Sequence, residues 1–117
     1  MKNFKELHIW QKGMDIAVNC FKIVKDFPQQ EKFGLALQIT KSGVSIPSNI
    51  AEGSSSSSQK DYSRFVEISL GSSYELETQL LIAQMKGFGD QPLIQETLLE
   101  LSDEEKMLLG FLRKLDT

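Results

Sequence analysis

Apolar residues recur every three or four positions along most of this chain, and no stretch alternates with a period of two. That pattern leaves helices as the building blocks. It is clearest at the start. Ile9, Gly13, Ile16, Cys20, Ile23 and Phe27 form one row, and Trp10, Met14, Ala17, Phe21 and Val24 form a second beside it. The two rows predict a helix over residues 5–27 with one wide apolar stripe. Of the positions outside the rows (Gln11, Lys12, Asp15, Val18, Asn19, Lys22, Lys25 and Asp26), only Val18 is apolar. Pro28 closes the helix, because a proline cannot continue it.

The second helix is expected from Phe33 or Gly34 to Ala51 or Gly53, with Gly53 as a stop signal. Leu35, Ile39, Ile46 and Ile50 mark its inner face, and Gly43 fills the gap in that row. Pro47 lies in its middle. A proline there removes a backbone hydrogen bond and crowds the carbonyl four residues back, which belongs to Gly43. The expectation is a helix that continues through Pro47 with a bend; a loop over 44–50 would refute it.

The serine run Ser54–Ser58 reads as a flexible connector, and Ser58 with Asp61 as a helix cap. A third helix over 59–86 carries apolar residues on several sides. Its centre, Ser69-Leu70-Gly71-Ser72-Ser73, is small enough for close approach of a neighbour. Such a helix is either the most central one or one that also meets another subunit. After the turn Gly87–Asp90, Ile94, Leu98, Leu101, Leu108, Leu112 and Leu115 predict a fourth helix over 91–115, with Glu105 the one break in its apolar register. Ser102-Asp103-Glu104-Glu105 resembles a fresh cap, but the register continues across it and predicts one helix. Connections of a few residues make successive helices antiparallel. The fold expected is all-α: one domain, residues 1–117, built as an up-down-up-down four-helix bundle.

The chemistry is sparse. His8 is the only histidine and Cys20 the only thiol, whereas a di-metal bundle site needs Glu-x-x-His pairs on two helices. No serine has an evident base, and no glycine loop suits a phosphate. Glu75 and Glu77 lie two residues apart on a helix and so point to nearly opposite faces. No metal, cofactor, small-molecule substrate or catalytic group is expected, with His8 partly exposed and Cys20 and Trp10 in the core. Net charge −3 gives no global basic field. The lone cysteine rules out an intramolecular disulfide and fits a reducing compartment. The start has no signal-peptide core and no run is long enough to span a bilayer, so a cytoplasmic protein without membrane partners is expected.

Two sets of residues merit attention as sites. Ser45, Asn49 and Glu52 share one face of the second helix, with Arg64, Ser72, Ser73 and Glu75 of the third as possible partners. This row is either a satisfied network that fixes helix register or the polar lining of an intersubunit surface or ligand groove. Lys5, Lys12, Lys22 and Lys25 of the first helix form either a solvated face or a weak phosphate-contacting surface, with Lys12, Lys22 and Lys25 the candidate nucleic-acid contacts.

Three blocks carry a family resemblance: Leu7-x-x-Trp10-Gln11-Lys12-Gly13-Met14; Leu35-Ala36-Leu37-Gln38-Ile39 followed by Val44–Gly53; and Gly71–Leu80. Together they resemble the signature of the four-helix-bundle proteins encoded in 23S rRNA intervening sequences, over nearly the whole chain. The resemblance implies a small bacterial protein that assembles into a ring-like homo-oligomer, a pentamer. It also implies kinship with the accessory variability proteins of diversity-generating retroelements, basic pentameric barrels that bind nucleic acid and a reverse transcriptase. This chain departs from that pattern: where family members commonly carry arginines it reads Thr40-Lys41-Ser42, and where they carry another basic residue after Glu-Gly it reads Ser54-Ser55-Ser56. The expectation is therefore a noncatalytic, self-assembling interaction module. The alternative is a nucleic-acid-binding accessory protein linked to rRNA intervening sequences or a reverse transcriptase.

Overall fold

A computed structural model describes residues 3–116. Four helices account for most of them: α1 (His8–Val24), α2 (Leu35–Ser54), α3 (Gln59–Lys86) and α4 (Gln91–Leu115). Single 3₁₀ turns lie at Phe4–Glu6 and Gln29–Glu31. No strand occurs among the described residues. α1 packs on α2, α2 on α3, α3 on α4 and α4 on α1, while the pairs α1/α3 and α2/α4 stay apart. That is the square cross-section of a four-helix bundle. Ser45 bonds to Ser72 and Ser42 to Glu75, so α2 and α3 run in opposite directions.

The core is a column of Ile16, Ile23, Ile39, Ile46, Ile50, Val66, Leu76, Leu80, Ile94, Leu101 and Leu108, all fully buried. Aromatic pairs close its ends, Phe27 with Phe88 in a tilted arrangement and Tyr62 with Phe111 edge-on. Gly89 sits at φ 81° in the α3–α4 turn, where a Cβ would lie 2.8 Å from the Ile23 carbonyl oxygen. Only glycine suits that combination of left-handed backbone and close approach.

The helix limits differ from expectation in three places. α1 begins at His8, because Leu7 is extended and Asn3 caps a separate 3₁₀ turn with its side chain. It ends at Val24 rather than Phe27, since the residue before Pro28 is steered away from helical backbone. Gly53 is not a stop. It lies inside α2, buried, where a Cβ would sit 2.8 Å from the Phe65 Cβ, and the helix runs on to Ser54. This glycine brings α2 close to α3. α2 continues through Pro47, and α4 runs unbroken past Ser102–Glu105.

A further difference concerns the apolar stripe of α1. Its first row is core, but in the second Met14 (38% exposed) and Phe21 (56%) remain outside, with Val18 beside them. The sequence stripe is wider than the arc that α2 and α4 cover. Trp10 is half-buried and meets Phe4 edge-on.

Candidate functional site

Four features of the bundle carry polar or exposed apolar groups that could serve a function. The first is the seam between α2 and α3. Ser45 Oγ and Ser72 Oγ lie 2.7 Å apart, and Asn49 Nδ2 donates to both the carbonyl and the hydroxyl oxygen of Ser45, at 2.9 Å each. Ser42 donates to Glu75, and Ser69 donates to the Ile46 carbonyl at 2.8 Å. Glu52 and Arg64 are exposed and take no part in these bonds. Ser73 is buried but turns back onto its own helix, at the Leu70 carbonyl. Of the residues singled out in the sequence, then, Ser45, Asn49, Ser72 and Glu75 are brought together, and Glu52 and Ser73 are not. Ser42 and Ser69 were missed, although each stands three residues before a chosen serine on the same helix face. The seam opens onto a groove of about 380 Å³, where Gln79 has a buried Oε1 without a partner.

The second feature is acidic. The break in the apolar register of α4 falls on Glu104, not on Glu105: Glu104 is fully buried and neither carboxyl oxygen has a hydrogen-bond partner. A Cβ placed on Gly13 would meet Glu104 Oε2 at 3.2 Å, Ile46 Cγ2 at 3.3 Å and Pro47 Cβ at 3.5 Å. The carboxyl thus fits where α1 carries no side chain. Burial pushes its pKa up to about 8, against a smaller opposing pull from Lys12. Glu105 is also raised to about 8, first by burial and then by its hydrogen-bonded neighbour Glu77 on α3. A protonated acid at neutral pH has the form of a general acid, but Glu104 has no exposed surface through which a substrate could reach it.

The lysines form the third. Lys12 is half-buried, beside the acids Glu100 and Glu104 of α4. Lys22 lines the α1–α4 groove with Asp15, Glu96 and Glu100, where Asn19 donates to Glu100 at 3.0 Å. Lys25 lines a different groove with Lys32. The three lysines therefore do not make one basic face.

The fourth lies between α1 and α2. Trp10, Met14, Val18, Phe21, Val44, Pro47, Ser48 and Ala51 line an open groove of about 360 Å³ with no charged residue in its wall. It continues past Phe21 along Leu37, Val44 and Thr40, where Lys25, Lys32 and Lys41 stand at the edge. Pro47, conspicuous in the sequence as an interruption, is a buried wall of this groove and packs against Gly13 of α1.

Among the described residues, no cluster of three His, Cys, Asp or Glu side chains is placed to hold a metal ion, and no helix is long and apolar enough to cross a membrane. Cys20 is buried, and burial pushes its thiol up to about 12, far from a nucleophilic thiolate.

The family model described as "23S rRNA-intervening sequence protein" matches residues 5–110. Among solved structures, the chain is similar to a protein from Bacteroides thetaiotaomicron VPI-5482, described as of unknown function and from the S23 ribosomal protein family. The TM-score is 0.81 at 23% identity, with 89% of this chain and 97% of that one covered, a likeness that shows the fold. No curated protein matches.

Proposed function

We propose, from the premise that this chain belongs to the 23S rRNA-intervening sequence protein family, that it is a noncatalytic module that works by self-assembly. The observation that carries this reading is the uncharged α1–α2 groove, with Met14, Val18, Phe21 and Val44 left 38–56% exposed along it, and its continuation past Phe21 to the exposed Leu37. A contiguous apolar patch of this kind on a small chain marks a contact surface. A ring-like homo-oligomer, a pentamer in the cytoplasm, is the assembly that the sequence resemblance implies. The α2–α3 seam then acts inside the subunit, holding the register of the two helices on which that surface depends.

Sedimentation at micromolar concentration tests the reading. The expected mass is several times the 13.2 kDa of one chain, and Phe21→Lys should reduce it to that of a single chain. A wild-type protein that sediments as one chain at every concentration defeats the proposal. Nucleic-acid binding draws less support, because Lys12 and Lys22 stand beside carboxylates that repel phosphate.

A further inference from the structure

We infer that the occupant of the α1–α2 groove is a second copy of this chain, and that the part inserted is the outer edge of α3. This rests on the self-assembly reading and adds to it which two surfaces meet. Gly71, Tyr74, Thr78, Leu81 and Met85 follow one another at steps of three, four, three and four along α3, and all five are exposed. That is the spacing of a helix seam that packs into another helix surface. Tyr74 is 47% exposed, Leu81 41% and Met85 87%. Nothing within the chain explains Gly71, since a Cβ there would meet nothing within 4 Å. A glycine inside a helix costs about 0.5–1 kcal/mol relative to alanine, and here it leaves room for something outside the subunit.

Position and charge both fit this pairing. α3 and α1 occupy diagonal corners of the bundle, so ridge and groove lie on different sides of one subunit. The Ser42–Glu75 bond sets Tyr74 close to the height of Val44. Gly43 packs on Cys20, which brings the same height beside Phe21. A rotation about an axis along the bundle therefore carries Gly71 and Tyr74 to the groove beside Phe21 and Val44, and Leu81 and Met85 to its continuation along Leu37 and Lys32. Between Arg64 and Lys86, α3 carries Glu67, Glu75 and Glu77 and no basic residue. The groove edge carries Lys25, Lys32 and Lys41 and no acid among its lining residues. Opposite charges at the rim orient such a contact. Contact between two different patches repeats from copy to copy, and closes into a ring where the rotation allows.

Two double variants and their mixture test this. The groove variant is Val18→Lys with Phe21→Lys, and the ridge variant is Leu81→Lys with Met85→Lys. All four positions are exposed, and circular dichroism with thermal unfolding verifies that each variant folds. Each alone should sediment as a single chain. Mixed in equal amounts they should form a particle of two chains and no larger, because one intact ridge still meets one intact groove. A ridge variant that keeps the wild-type mass overturns the pairing while leaving self-assembly standing. So does an equal mixture that stays monomeric. A wild type that is itself a single chain defeats the self-assembly reading on which the pairing rests, and leaves the groove to another protein.

Discussion

Replacing Glu104 by leucine should make this protein more stable, and the gain should grow as pH rises. The side chain is fully buried with its carboxyl against Gly13, and both oxygens are unpartnered. Burial raises its pKa from 4.5 to about 8. Below about pH 4.5 the folded and unfolded chains both hold the proton, and the acid carries no ionisation cost. Between 4.5 and 8 the unfolded chain gives up its proton while the folded chain keeps it, so unfolding releases a proton and stability falls as pH rises. Above about 8 both are ionised and the slope ends. Each pH unit in that window is worth about 1.4 kcal/mol, on the order of 5 kcal/mol across it. That is a large share of the roughly 5–15 kcal/mol that holds a domain together.

The assay is urea unfolding followed by circular dichroism from pH 4.5 to 8.5 at one fixed protein concentration. The wild type should lose stability through this range. Glu104→Leu, of similar volume, should be nearly flat there, apart from a shallower slope in the same direction from the partly exposed Glu105. Glu104→Gln should also remove the slope, with a constant offset for its unpaired amide. Wild-type and Glu104→Leu curves that run parallel between pH 5 and 8 would refute the reasoning, because the carboxyl would then be neither dry nor unpaired.

Two further outcomes follow from the packing. Gly53→Ala places a methyl group 2.8 Å from the Phe65 Cβ and 3.0 Å from the Tyr62 ring; α2 must move away from α3, and thermal unfolding should show a loss of about 1–3 kcal/mol. Cys20, buried with its thiol pushed up to about 12, should resist a thiol-titrating disulfide reagent at pH 8 in the native protein and react at once in urea, and rapid native reaction would show that the core opens there.

The helices themselves are written in the residues. Period, prolines and caps placed α3 and α4 at their ends, because Ser58, Asp90 and Gly87 act within a few bonds of the backbone they cap. The seam was partly legible: Ser45, Asn49, Ser72 and Glu75 share faces by spacing alone, whereas Glu52 and Ser73 share the spacing without the partner. Tertiary structure decided what spacing does not encode, which is how much of a face the neighbours cover and what stands across from it. The apolar row through Met14 and Phe21 reads as core in one dimension and lies open in three, because two helices cover only a limited arc of a third. Glu104 rather than Glu105 enters the core: each stands three or four residues from both Leu101 and Leu108, so spacing fits either, and the packed helices bury the row Ile94, Thr97, Leu101, Glu104 and Leu108. Gly13, Gly53 and Pro47 look locally like a small member of an apolar row, a stop and an interruption. Packed together, they are where a carboxyl fits, where α2 meets α3, and where an open apolar groove has its wall.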